Sequence, residues 1–137
     1  MTTENNKIIA EFMNFPKVTN VRDSESGKYY DYQLPNKFDL VLEQEVQIES
    51  NNGWGLVKQD YVFAIDLIFH SDWNWLMEVV EKIESINFKL PSQEYGQYKA
   101  MKIKDALTMQ YKDLTKIEAT CNACVEFIKW YNEQNKV

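Results

Sequence analysis

Residues 115–135 read TKIEATCNACVEFIKWYNEQN, and this stretch decides the predicted architecture. Thr115 and Glu118 have the spacing of a capping box, in which each side chain accepts a hydrogen bond from the backbone N–H of the other residue. Apolar residues then recur at helical spacing and form two stripes on opposite sides of the helix. The first stripe consists of Ile117, Cys121, Cys124, Val125, Ile128 and Tyr131, and the second of Ala119, Ala123, Phe127 and Trp130.

A helix that is apolar on two sides needs two apolar neighbours, because an ordinary surface helix has a single apolar face. We expect the first stripe to pack on the core of the domain. We expect the second stripe to contact either another helix or a second copy of the chain. Small Ala119 and Ala123 beside the large rings of Phe127 and Trp130 allow close helix approach, so this stripe is the predicted self-association surface.

The composition predicts one domain, residues 1–137, with a substantial hydrophobic core, since 45% of the 137 residues are hydrophobic. The formal net charge of −6 disfavours binding to a nucleic-acid backbone, which depends on clustered Lys and Arg. It leaves room for a small anionic ligand, which needs only a few local donors. No apolar run approaches the ~20 residues of a membrane span, and the polar N-terminus lacks a signal-peptide core, so we expect a cytoplasmic location.

The rest of the chain predicts helices around a strand-rich segment. A helix is predicted over 5–15, because Pro16 disfavours helical geometry at the residue before it. Residues 17–70 are predicted to be strand-rich, with turn chemistry at Asp23–Gly27, alternation over Phe38–Glu49 and a hairpin signal at Asn51-Asn52-Gly53. Ser71 is predicted to cap a helix over 72–85. Strands are predicted over 86–110, mainly at Ile86–Leu90 and Lys99–Met109, and the last helix covers 115–134. Together these elements predict an α+β fold with a mainly antiparallel sheet.

Three stretches carry a resemblance: NKIIAEFM at 6–13, HSDWNWLMEVVEKIE at 70–84, and KIEAT at 116–120 followed by VEFIKWYN at 125–132. They resemble small uncharacterised proteins of phages and prophages of Bacteroidetes-type bacteria. The order of elements is similar to the phage ABA sandwich domain. The resemblance implies a helix–sheet–helix sandwich with three main helices, in the cytoplasm of a bacterial host. It implies no activity, and members often have proline where this chain has Glu78.

The spacing of Cys121 and Cys124 is that of a C-x-x-C motif, which occurs in zinc sites and redox centres. A structural zinc needs four ligands, and the chain has two cysteines and one histidine. Cysteines in the middle of a helix also lack the N-terminal dipole that lowers a thiol pKa. We therefore predict that both cysteines pack in the core and that the chain binds no metal.

Two groups of residues are candidate ligand contacts. His70, Ser71 and Trp73 stand at a predicted helix start, where backbone N–H groups bind anions; the alternative is that His70 helps to fix the cap. Tyr29 and Tyr30 are candidates to stack on a planar ligand, and the alternative is that these rings pack in the core. Glu43, Glu45 and Glu49 alternate along a strand and are predicted to form a solvated face rather than a catalytic pair.

These patterns favour a non-enzymatic phage accessory protein that binds a host protein or a small signalling molecule, needs no cofactor and forms a homo-oligomer. One alternative is an oligomeric sponge that sequesters a nucleotide immune signal and so acts against host defence. A second is a small nucleotide hydrolase that uses His70 and acidic residues. A third is a protein whose acidic surface mimics nucleic acid.

Overall fold

The computed structural model describes residues 2–38, 43–48, 53–58, 61–90 and 94–135. These residues form four α-helices, five β-strands and one 3-10 turn, which confirms the α+β class. The sequence predicts one domain, and the chain divides into two compact units. One is helical and contains residues 3–13 and those from Ile68 onward; the other is strand-rich and spans Asn14–Leu67.

The helical unit is built from four helices: α1 (Thr2–Phe12), α2 (Trp73–Lys89), α3 (Glu94–Thr108) and α4 (Lys116–Gln134). Helices α2, α3 and α4 each pack against the other two. Their interior side chains are fully buried, and each buried Leu, Ile, Val or Phe contributes about 1.5–3 kcal/mol. The largest of them are Ile9, Phe69, Leu76, Val79, Val80, Ile83, Phe127 and Ile128.

The predicted capping box at the start of α4 is confirmed. Thr115 Oγ1 accepts a hydrogen bond from the backbone N–H of Glu118 at 3.2 Å, and Thr115 N donates to Glu118 Oε1 at 3.2 Å. The cap of α2 differs from the prediction, because Asp72 rather than Ser71 accepts from the backbone N–H of Trp75. A carboxylate satisfies this donor and also interacts favourably with the helix dipole.

The prediction of strands over 86–110 is wrong. Residues 86–89 continue α2, and Glu94–Thr108 form α3, so the described residues contain four main helices rather than three. The physical reason is that Gly96, Ala100, Ile103 and Ala106 recur every three or four residues and supply one face of a helix. Short apolar runs at Ile86–Leu90 and Lys99–Met109 also alternate in part, and such runs do not distinguish a strand from a helix.

Two antiparallel sheets form the second unit. Strands β1 (Val21–Asp23), β3 (Glu43–Ile48) and β4 (Gly53–Lys58) pair in the order β1-β3-β4, and β2 (Tyr32–Gln33) pairs with β5 (Tyr61–Val62). Pairing of Ile48 with Gly53 agrees with the predicted hairpin, whose residues 49–52 lie outside the described residues. Strand geometry was predicted to reach residue 70, but Ala64–Asp66 form a 3-10 turn.

The predicted turn after β1 is confirmed. Gly27 N donates to Asp23 O at 2.9 Å, and Ser26 N donates to Asp23 Oδ2 at 3.0 Å. Gly27 has a φ of 72°, a region that favours glycine because it lacks a Cβ atom. The turn brings Tyr30 back against Val21, and these two residues form one small buried cluster in this unit.

Candidate functional site

The residues predicted to bind a ligand lie directly before and at the start of α2, but the side chain of Asp72 already caps this end of the helix. His70 is half-buried, and Ser71 and Trp73 are exposed. Asp72 Oδ1 accepts a hydrogen bond from the backbone N–H of Trp75 at 3.2 Å. An anion bound at this helix start would use the same donor. A fixed negative charge here also repels phosphate, so the structure disfavours the predicted anion-binding role of this helix start.

His70 has one notable feature, a buried Nδ1 with no hydrogen-bond partner among the described residues. The pKa of Glu118 at the start of α4 is lowered mainly by its hydrogen bonds with Thr115, and His70 makes the smallest of the contributions. Whether His70 contacts a ligand or helps to fix the cap of α2 stays a prediction.

The two tyrosines predicted to stack on a ligand have different environments. Tyr30 is buried, its ring centroid lies 4.6 Å from that of Phe63, and its hydroxyl donates to Asp23 Oδ1 at 3.2 Å. Burial and the neighbouring Asp23 raise the pKa of Tyr30 to about 12. Tyr30 is therefore a core residue, which corrects its assignment as a ligand contact. Tyr29 is exposed, and the guanidinium carbon of Arg22 lies 5.6 Å from its ring centroid.

The second stripe of α4 contacts another helix. This was one of the two neighbours expected for it from the sequence. Ala119, Phe127 and Trp130 are buried and Ala123 is half-buried. Helix α3 packs on α4, and a Cβ atom placed on Gly96 would lie 2.5 Å from Trp130 Cη2. The predicted self-association surface is therefore corrected, because Ala119, Phe127 and Trp130 are covered within the chain.

The prediction that both cysteines pack in the core is confirmed. Cys121 and Cys124 are free thiols buried in α4. Burial raises the pKa of Cys121 to about 11, and it also raises the pKa of Cys124, with a smaller contribution from Cys121. Within the described part of the chain, His, Cys, Asp and Glu side chains form no group of three that would hold a metal ion.

An open apolar groove lies between α2 and α3 and was not predicted from the sequence. It has a volume of about 450 Å³. Buried Ile83 and Ile103, with half-buried Asn87, Ala100 and Leu107, form its floor. Five exposed residues form its rims, Glu84 and Phe88 on α2, and Gln97, Met101 and Lys104 on α3. We refer to this feature as the α2/α3 groove.

Phe88 is the most exposed large hydrophobic residue of the described chain, with 91% of its surface accessible, and Met101 on the facing rim is 57% exposed. Single exposed hydrophobic residues are common on protein surfaces, whereas here two of them line the same groove. The signal was present in the sequence. If the helix continues past Ile83, Phe88 lies about 140° around the axis from it and so falls outside the buried stripe.

A second cleft lies between α3, α4 and the segment that joins them. It has a volume of about 380 Å³, and its lining includes Lys99, Lys102, Tyr111 and Leu114. Lys99 Nζ lies 4.0 Å from Glu126 Oε2, and Lys102 Nζ lies 4.9 Å from the ring centroid of Tyr98. The cleft therefore combines two cations with the carboxylate of Glu126, an aromatic ring and an aliphatic side chain.

The chain matches no protein-family model, no curated protein and no solved structure. None of the described helices combines the length and the apolar composition needed to span a membrane.

Proposed function

We propose that this chain is a non-enzymatic phage or prophage accessory protein that acts by binding a protein partner through the α2/α3 groove. The observation that carries the proposal is the exposure of Phe88 beside an apolar floor. The phage context comes from the resemblance of 6–13, 70–84 and 116–132. The proposed location is the cytoplasm of the bacterial host.

The lining of the groove indicates what kind of partner it accepts. Its floor is aliphatic apart from Asn87, so it favours an apolar side chain, and burial of Phe88 against such a partner contributes about 1.5–3 kcal/mol. Glu84 on one rim and Lys104 on the other provide charges of opposite sign. An apolar floor between polar rims is the arrangement that receives an amphipathic helix.

The environment of the two thiols argues against a cysteine nucleophile. A thiol attacks as the thiolate, and burial raises the pKa of Cys121 and Cys124, so both stay protonated at neutral pH. They lie on the buried side of α4, away from solvent.

Site-specific photocrosslinking tests the proposal. We expect a benzophenone amino acid at position 88 to form a covalent adduct with a protein in host cells. The same group at position 65 is the matched control, because Ile65 is 64% exposed but lies in the strand-rich unit. An adduct at position 88 that is absent at position 65 supports the proposal. The absence of any adduct at position 88 rejects it.

A nucleotide-binding sponge is the second candidate, and the cleft lined by Lys99, Lys102 and Tyr111 supports it. Lysines provide charge for a phosphate, and an aromatic ring stacks on a base. If this candidate is right, linear or cyclic nucleotides raise the melting temperature of the chain by mass action. The shift then disappears in Lys102→Glu, whose side chain is exposed. No shift with any nucleotide rejects this candidate.

We also propose the layered helix–sheet–helix arrangement that the resemblance implies. The antiparallel pairing of β3 with β4 supports the mainly antiparallel sheet of that arrangement. An experimental structure that shows helices on one face of the sheet alone contradicts it.

A further inference from the structure

We propose that the α2/α3 groove binds a second copy of this chain, so that α2 of each copy lies over α3 of the other. This inference rests on the proposed function, in which the groove is a protein-binding surface. It differs from the self-association predicted from the sequence, which used the stripe of α4 that α3 covers.

The charged residues on the two rims of the groove are complementary to each other. The exposed surface of α2 carries Glu81 and Glu84, with Lys89 as the last residue of the helix, and that of α3 carries Lys102 and Lys104. Glu84 and Lys104 line the groove from opposite sides. A two-fold symmetric interface joins the same patch on both copies, so the patch must complement itself. A groove with an acidic rim and a basic rim meets this requirement.

The charge pattern also selects the orientation of the two-fold axis. An axis that runs along the groove places α2 of one copy over α3 of the other, so that Glu84 lies over the helix that carries Lys104. An axis perpendicular to the helices within the interface places α2 over α2, so that Glu84 lies over the helix that carries another Glu84. Like charges across an interface are unfavourable, so the first orientation is the one we propose.

The apolar residues fit the same arrangement. Phe88 projects from the rim of one copy and inserts into the groove of the other, where it contacts Met101 and reaches the floor at Ile103. Thioether sulfur makes favourable contacts with aromatic rings. The exposed surfaces of Phe88 and Met101 are thus buried twice, once in each copy, and an aromatic side chain in a central pocket is typical of an interface hot spot.

The mixed charge of the groove argues for a second copy over a foreign partner of strong charge. A strongly basic partner would meet Lys104, and a strongly acidic one would meet Glu84. The chain itself carries both signs on the two helices that line the groove.

Sedimentation equilibrium of the full chain over a wide concentration range tests the inference. We expect a species with twice the 16.3 kDa mass of the chain. Phe88→Ser should weaken the dimer by at least about 30-fold, the effect of a hot-spot residue. Ile65→Ser also replaces an exposed apolar side chain by serine, but in the other unit, and it should leave the dimer intact. Circular dichroism and thermal unfolding check that every variant folds.

Charge exchange tests the orientation. Glu84→Lys and Lys104→Glu should each weaken the dimer, because each places like charges opposite one another. The double variant should restore it. If α2 instead lies over α2, Glu84→Lys replaces one like pair by another and leaves the dimer unchanged, which overturns the proposed orientation.

The crosslinking experiment separates failure of this inference from failure of the proposed function. An adduct at position 88 with twice the chain mass supports the second copy. An adduct of another mass, together with a monomer at all concentrations, overturns the inference and leaves the groove as a surface for a foreign protein. No adduct at all rejects the proposed function as well. A dimer that none of the groove variants affects overturns the inference too.

Discussion

The ammonium group of Lys82 in α2 donates a hydrogen bond to the carbonyl oxygen of Phe12, the last residue of α1. The same group lies 4.5 Å from the centroid of the Phe12 ring. The last carbonyls of a helix have no partner within it, and a cation at this end interacts favourably with the helix dipole. Lys82 therefore provides a hydrogen-bond donor for the last carbonyl of α1 and attaches this helix to α2.

Replacing Lys82 should weaken that attachment. Lys82→Met keeps most of the aliphatic stem but removes the donor and the charge. We expect a loss of about 1–2 kcal/mol in the free energy of unfolding, measured by urea denaturation. Lys89→Met is the control, because Lys89 is exposed on the same helix, and it should change stability by less than about 0.5 kcal/mol. Equal losses for the two variants contradict the proposed role.

The pH dependence of Lys82 provides a second measurement. Burial lowers the pKa of Lys82 below the ordinary value of 10.5. As pH approaches 10.5, the unfolded chain therefore binds more protons at this residue than the folded chain does, and stability rises with pH. We expect the advantage of the wild type over Lys82→Met to grow between neutral pH and 10.5. A stability difference between the wild type and Lys82→Met that stays constant or shrinks over this pH range contradicts the lowered pKa of Lys82.

Gly96 should be required by the close approach of α3 to Trp130. Gly96→Ala gains up to about 1 kcal/mol in helix propensity, but the new Cβ would lie 2.5 Å from Trp130 Cη2. Relieving such an overlap costs about 1–3 kcal/mol, so we expect a net loss of stability. In a Trp130→Phe background the Cη2 atom is absent, and Gly96→Ala should then stabilise the chain. If the substitution has the same sign in both backgrounds, the contact is not what restricts position 96.

Helix α4 was predictable because its signals are local and agree with one another. The capping box of Thr115 and Glu118 marks its start, and two apolar stripes required two neighbours. The sequence left open whether the second neighbour was a helix or a second copy. That choice depended on α3, whose residues alternate enough to be mistaken for a strand.

The groove was not predictable once residues 86–90 had been assigned to a strand. In a strand, Phe88 alternates with its neighbours and shares a face with Ile86 and Leu90. In a helix, it lies about 140° around the axis from buried Ile83 and so falls on the rim of the groove rather than in the buried stripe. Similarly, Asp72 rather than Ser71 became the cap because adjacent polar residues compete for that position, and local spacing does not distinguish them.

Both thiols should react slowly in the folded chain. A rise in the pKa of Cys121 from 9.0 to about 11 lowers the thiolate fraction at neutral pH about a hundredfold. Burial also blocks approach of the reagent. We expect Ellman's reagent to modify both cysteines promptly in urea and at least about a hundredfold more slowly under native conditions. Prompt modification of the native chain contradicts the buried position of these residues.

The hydroxyl of Tyr30 should link the stability of the strand-rich unit to alkaline pH. Tyr30→Phe keeps the ring against Phe63 but removes the hydrogen bond to Asp23, which should cost about 1 kcal/mol at neutral pH. Since the pKa of Tyr30 is raised from 10.0 to about 12, the folded chain keeps this proton in a pH range where the unfolded chain loses it.

The stability that depends on the Tyr30 proton is therefore fully present below pH 10 and is lost between pH 10 and about pH 12. Urea denaturation at several pH values should show the wild-type advantage over Tyr30→Phe shrinking across this range. The matched control is Tyr111→Phe, because Tyr111 is exposed and lies in the helical unit. Its difference from the wild type should show no comparable decline. A wild-type advantage that persists to pH 12 contradicts the hydrogen bond between Tyr30 and Asp23, since that bond requires the protonated phenol.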